Sequence, residues 1–158
     1  MTDIVPSSKR SEMMSGIKAK DTKPELLVRK ALFSQGFRFR LHSKHLLGSP
    51  DIVLPKHRVV IFVHGCFWHH HLGCKYSRIP ASRVDFWSTK LKANAARDAK
   101  VQRELLNQGW RVLIVWECHL RRLQNTISTL QLQLSNWIKG SSNFSQFPSS
   151  TNASCTID

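Results

Sequence analysis

Arg58-Val-Val-Ile-Phe-Val-His64 sets five consecutive apolar residues between two polar ones. Such a run, rich in β-branched residues, predicts a strand over 58–64 that is buried on both faces. Arg111-Val-Leu-Ile-Val-Trp-Glu117 repeats the pattern. Between them, 86–108 reads as a helix closed by Gly109, a natural crossover between parallel neighbours. Working towards the N-terminus, 51–54 is a short strand that turns at Pro55-Lys56-His57 into a hairpin with the first run. Phe37 to Leu41 alternates like a further strand. Thr22-Lys-Pro-Glu25 has capping-box spacing, Leu27, Val28, Ala31 and Leu32 share one helical face, and Gly36 stops that helix. Towards the C-terminus, 120–138 reads as a final helix. The expected fold class is α/β, a single domain with a mixed β-sheet flanked by helices.

Around this domain, 21–139, the ends differ in character. Residues 1–20 are polar and basic and read as an N-terminal arm, either flexible or an amphipathic helix around Met13, Met14 and Ile17. Residues 140–158 are rich in Ser and Asn and are expected to form a disordered tail. The chain has 158 residues, enough for one core. Its 41% hydrophobic content excludes global disorder. No apolar run is long enough to span a bilayer, and the first residues lack an apolar signal core, so neither secretion nor a membrane partner is expected. The four cysteines are accordingly read as thiols or metal ligands. Asp158 is the only charged residue after Lys139, so all 24 Lys and Arg residues face nine acids within 1–139. A field of that sign attracts polyanions, with nucleic acid as the leading partner.

The chemistry concentrates directly after the first buried strand, in His64-Gly-Cys-Phe-Trp-His-His-His-Leu-Gly-Cys74. Cys66, His71 and Cys74 have zinc-ligand spacing, and Cys118 is the candidate fourth ligand. If the two buried strands are parallel neighbours, Cys66 and Cys118 leave the same sheet edge. A closed Cys3His site is structural, with no open position for substrate. His70 is an alternative to His71. Asp51 places a carboxylate at a strand start, where metal-dependent nucleases commonly hold a cation. His69 is a candidate general base. Asp98 could pair with His64, and Glu25 lies in the first turn of its helix. Phe67, Trp68 and Trp87 stand among strongly polar neighbours, as base-stack wedges do. Charge, zinc ligands and aromatics alone would also suit a non-catalytic zinc-dependent nucleic-acid binding module, but that reading leaves Asp51, His64, His69 and Asp98 unexplained.

Together these residues resemble the very short patch repair (Vsr) endonuclease family. The resemblance covers about residues 9–138. It is carried by Arg10-Ser11 with Met14, Asp21-Thr22 with Glu25, Pro50-Asp51, Val60 through His71, Pro80-Ala81, Phe86-Trp87, Asn94 with Arg97-Asp98, and Gly109 through Cys118. It implies a restriction-endonuclease-like fold with structural Zn2+, and a Mg2+-dependent enzyme that nicks one strand of double-stranded DNA. The cut falls 5′ of the mismatched T in T:G pairs left by deamination of 5-methylcytosine. By position it implies that Asp51 and the Val63 main-chain carbonyl hold magnesium and that His69 is the general base. His64 and Asp98 assist at the phosphate, and Glu25 positions water at the metal. Phe67, Trp68 and Trp87 intercalate, with Met14 wedging from the other groove, and Cys66, His71, Cys74 and Cys118 bind zinc. It further implies a monomer in the bacterial cytoplasm, acting at the nucleoid, with mismatch-repair proteins as partners. Two positions depart from the family pattern. Val63 stands where threonine is common, and Leu72-Gly73 makes the zinc loop one residue longer.

Overall fold

The computed structural model describes residues 6–16, 19–123 and 126–149. In chain order the elements are helices α1 (Ser7–Ser15) and α2 (Lys23–Ser34), strands β1 (Arg40–Leu41), β2 (Ile52–Leu54) and β3 (Val59–His64), helix α3 (Val84–Asn107), strand β4 (Arg111–Trp116), helices α4 (Glu117–Arg122) and α5 (Ile127–Lys139), and strand β5 (Phe144–Phe147). The strands form one sheet in the order β1-β2-β3-β4-β5. The β1–β2 and β2–β3 pairs are antiparallel, and the β3–β4 and β4–β5 pairs are parallel. This is the mixed α/β sheet expected from the two apolar runs.

The continuous apolar run of β3 has a simple cause. Val59 and Ile61 enter a core shared with α2 and α5, while Val60 and Phe62 enter a second core shared with α3. Successive side chains of a strand point to opposite faces, so a strand covered on both sides must be apolar throughout. Removing each such side chain from water stabilises the fold by roughly 1.5–3 kcal/mol. In α2, the Thr22 hydroxyl accepts from the Glu25 amide at 3.4 Å, as capping-box spacing predicts. The return bond is shifted by one residue, because Glu25 Oε2 accepts from the Asp21 amide at 3.0 Å. Val28, Ala31 and Leu32 fill the buried face, and Gly36 closes the helix at φ 81°.

Three expectations are corrected. The strand expected over 37–41 is reduced to Arg40–Leu41, because β2 offers only a short edge to pair with. The single helix expected over 120–138 is two, α4 beginning directly at the end of β4 and α5 starting after Thr126. The tail expected to be disordered from residue 140 instead adds β5 beside β4. Arg111 explains that strand. Its guanidinium donates to the carbonyls of Trp137, Ile138 and Ser142 at 2.8, 2.8 and 2.9 Å, binding the end of α5 and the start of the tail together. The tail residues from 150 on lie outside the described residues. Residues 7–15 of the arm are helical, and the described side chains of α1 are exposed. The Met14 side chain, expected to act as a wedge, lies outside the described residues. Among the described residues, no helix is long and apolar enough to cross a membrane.

Candidate functional site

Parallel pairing of β3 with β4 sets His64 opposite Trp116, so Cys66 and Cys118 each leave the sheet two residues beyond the last pair. The peptide chain then turns back through the histidines. Cys66, His71, Cys74 and Cys118 offer ligand atoms that all lie within 4.8 Å of one another. Cys118 Sγ is 3.5 Å from His71 Nδ1, and the Cys118 amide donates to Cys66 Sγ at 3.4 Å. Hydrogen bonding from the Cys118 side chain, aided by His71, pushes the Cys66 thiol down to about 5 against the opposing effect of burial. Three buried sulfurs and one imidazole are a donor set suited to zinc, and a thiol already biased to thiolate is its preferred ligand. His71, not His70, belongs to this cluster. The His71 ring stacks on Trp116 at 4.0 Å, and Trp116 Nε1 donates to Gln146 Oε1 on β5 at 2.9 Å. The extra loop residue is absorbed in a turn. The Cys74 amide donates to the His71 carbonyl, Gly73 takes φ 73° as a residue with no Cβ can, and Leu72 projects into solvent.

Asp51 lies at the start of β2, where the adjoining β3 supplies a donor. The Val63 amide donates to Asp51 Oδ2 at 2.8 Å, and the Val63 side chain packs into the α2/α5 core. Burial pushes the Asp51 carboxyl up to about 6, with nearby Glu25 adding to it, while the Val63 bond, His42 and His69 oppose the rise. A half-buried carboxylate next to another acid is a place where a divalent cation is electrostatically welcome.

Beside it, His69 Nδ1 donates to Asp98 Oδ2 at 2.6 Å. A carboxylate only accepts, so the proton sits on Nδ1 and Nε2 is left as a base. Asp98 thus bonds to His69 and not to His64, although ligand atoms of all three lie within 4.8 Å of one another. His64 instead lies flat against His69, ring centroids 3.7 Å apart and planes 4° from parallel. Burial, then the neighbouring His69 and His71, hold His64 well below the ordinary histidine range, so it stays neutral. Asn94 donates to the Trp68 carbonyl at 3.0 Å and fixes the loop that carries His69. A cavity of about 460 Å³ opens beside this pair and reaches His71, Gln102, Trp116 and Gln146.

Phe67, Trp68 and Trp87 form one cluster, with centroids 5.1, 5.4 and 6.0 Å apart in edge-to-face arrangements. Phe86 extends it at 5.2 Å from Trp87 and is 44% exposed. Lys90 stands 5.7, 5.7 and 5.8 Å from the Trp68, Phe86 and Trp87 rings. The structure thus links Glu25, Asp51, His64, His69 and Asp98 in one polar group, while Cys66, His71, Cys74 and Cys118 form a second cluster and Phe67, Trp68 and Trp87 a third; the Met14 side chain lies outside the described residues.

Two polar residues beside the first group were not expected. Arg29 donates to Glu25 Oε2 and contacts His42 Nε2, each at 3.0 Å, and His42 faces Asp51 across the β1–β2 turn. The Arg29 signal was its position one helical turn after Glu25. His42 follows a two-residue strand, too short a pattern to reveal its register.

Comparison with known proteins shows the family. Residues 2–75 match the family model described as DNA mismatch endonuclease Vsr. The type II nicking enzyme V.XorIIP of Xanthomonas oryzae pv. oryzae is 50% identical over 123 residues, 78% of this chain and 90% of that protein. The type II nicking enzyme V.NmeAIP of Neisseria meningitidis is 52% identical over 121 residues, 77% of this chain and 86% of that protein. The DNA mismatch endonuclease Vsr of Escherichia coli is 43% identical over 141 residues, covering 89% and 90% of the two chains.

Proposed function

The chain belongs to the Vsr family of DNA mismatch endonucleases, and from that membership we propose that it nicks duplex DNA on the 5′ side of the T in a T:G mismatch, with magnesium as the catalytic cation and zinc as a structural one. The observation that carries the reading is the His69–Asp98 pair at 2.6 Å beside the half-buried Asp51 carboxylate. Asp51, with the Val63 carbonyl, would hold the cation. When bound, it supplies charge neutralisation at the scissile phosphate.

The protein's own residues do the rest. Nε2 of His69 accepts the proton of the attacking water, and Asp98 steadies the imidazolium that results. Neutral His64 braces the His69 ring from behind without competing for that proton. Glu25 orients water at the Asp51 side. Phe67, Trp68 and Trp87 enter the base stack beside the mismatch, where opening costs least. The basic surface contacts phosphates and contributes affinity without sequence information.

Purified protein with end-labelled T:G and T:A duplexes, with and without Mg2+, tests this. One nick 5′ of the mismatched T, only in the T:G duplex and only with Mg2+, is expected. Equal cutting of T:A rejects mismatch recognition, and equal cutting without added divalent cation rejects the cation role. Asp98→Asn, which no longer enforces the Nδ1–H form of His69, should slow single-turnover nicking by roughly 100-fold with duplex affinity within about twofold of wild type. An unaffected rate would remove Asp98 from the proton path.

A further inference from the structure

Asp21, Glu25 and His42 bring ligand atoms within 4.8 Å of one another, an arrangement that by itself resembles a second cation site. The site is already filled by a side chain. Arg29 Nη1 lies 2.8 Å from Asp21 Oδ1, and Arg29 Nη2 lies 3.0 Å from both Glu25 Oε2 and His42 Nε2. The Arg29 and Glu25 side chains are 12% and 5% exposed, so this is an interior ion pair rather than a solvated one. His42 Nε2 also lies 3.4 Å from Asp21 Oδ1 and 3.7 Å from Glu25 Oε2, but its shortest contact is the 3.0 Å one to the guanidinium, which has donors only, so in the neutral ring Nε2 accepts and the proton falls on Nδ1. Nδ1 is the atom turned to Asp51, 4.0 Å from Oδ1. The backbone enforces that direction. The His42 amide donates to the Asp51 carbonyl at 3.2 Å, and His42 takes φ 45°, just past β1.

We infer that Arg29 and His42 are positioning residues for the cleavage reaction: Arg29 fixes the Glu25 carboxylate and the His42 tautomer, and His42 presents its Nδ1–H to Asp51. The inference rests on the proposed cation role of Asp51 and Glu25, and assigns what holds those two carboxylates in place. Neither residue touches substrate in this account. Groups that orient metal ligands typically alter metal affinity or activity by about 10- to 100-fold when removed.

The experiment compares wild type with Arg29→Ala, His42→Leu and His42→Gln. An amide, like the imidazole here, offers one acceptor and one donor, so glutamine can bridge Arg29 and Asp51 whereas leucine cannot. Three readouts are taken: Mn2+ binding by electron paramagnetic resonance without DNA, single-turnover nicking of a T:G duplex, and melting temperature. Arg29→Ala and His42→Leu should each lose about 10-fold or more in nicking rate, with His42→Leu also losing about 10-fold in Mn2+ affinity. His42→Gln should stay within about threefold of wild type in both. Nitrogen NMR of the metal-free protein should show the Nδ1–H form of His42.

Wild-type Mn2+ binding and nicking in all three variants would overturn the inference. So would glutamine behaving like leucine, an Nε2–H tautomer, or wild type that binds no Mn2+. If a variant melts early, Arg29→Lys replaces it, retaining the charge but not the planar fork, and a wild-type rate there overturns the orienting role of Arg29. A wild-type protein that binds Mn2+ yet nicks no duplex defeats the proposed activity instead, and the Mn2+ data alone then judge the positioning role.

Discussion

Asp51→Asn is expected to reduce single-turnover nicking of a T:G duplex by about 1,000-fold or more, and to raise the melting temperature of the protein in magnesium-free buffer at pH 7.5. Both effects come from the same carboxylate. Burial, with Glu25 nearby, raises Asp51 from its ordinary 3.8 to about 6 in the folded protein. The folded state therefore binds this proton more tightly than the unfolded chain. Above pH 6 the ionised Asp51 destabilises the fold by on the order of 2–3 kcal/mol. That cost shrinks as the pH falls through 6 and vanishes below about 4, where both states are protonated. Asparagine keeps the shape and still accepts from the Val63 amide, but carries no charge. Its advantage, roughly 5 °C in melting temperature, should thus be present at pH 7.5 and absent near pH 4. Wild-type nicking should fall about tenfold per pH unit below pH 6 at limiting Mg2+, and excess Mg2+ should move the fall to lower pH, since the cation competes with the proton. Asparagine that nicks at the wild-type rate, or that gains no stability at pH 7.5, would separate Asp51 from the role argued for it.

The parts of this molecule that were legible in the sequence are those governed by short-range pattern. Two apolar runs at Val59 to Val63 and Val112 to Trp116 announced buried strands because both faces of the sheet are covered. Their parallel pairing followed from the helix between them, and with it the meeting of Cys66 and Cys118. What the pattern could not convey were contacts across long separations. Arg111 reads as the polar start of a strand, yet its hydrogen bonds to Trp137, Ile138 and Ser142 are what hold an uncharged, Ser-rich segment as β5. Chemistry alone pairs Asp98 with His64; the geometry of α3 against the loop gives its hydrogen bond to His69, with His64 in the same group. His42 was missed because a two-residue strand carries no readable period, although its register opposite Asp51 decides where its ring points.

Cys118→Ala should lose the zinc we propose for this cluster, lower the melting temperature by more than about 10 °C and abolish measurable nicking, although Cys118 is no part of the proton path. The reason lies in how few side chains residues 65–83 bury, with the Asn94–Trp68 and His69–Asp98 bonds and half-exposed ring contacts among their other ties. Between β3 and α3 the chain forms only a short 3-10 turn at Lys75–Ser77, and its buried side chains are few, chiefly Cys66, Cys74 and Ser77. Yet this segment carries Phe67, Trp68 and His69. Zinc held by the four-residue cluster would tie the segment to the first turn of α4, which is anchored by β4. Without that tie, His69 would keep its bond to Asp98 only at the full entropic cost of ordering the loop. The order of events on chelation should therefore be diagnostic. A chelator strong enough to strip zinc should cause unfolding and irreversible loss of activity, whereas removing magnesium alone should leave the melting temperature nearly unchanged and activity fully recoverable. A Cys118→Ala protein that retains one zinc per chain, melts like wild type and nicks at full rate would show that the cluster of thiols and imidazole is not what fixes the catalytic loop.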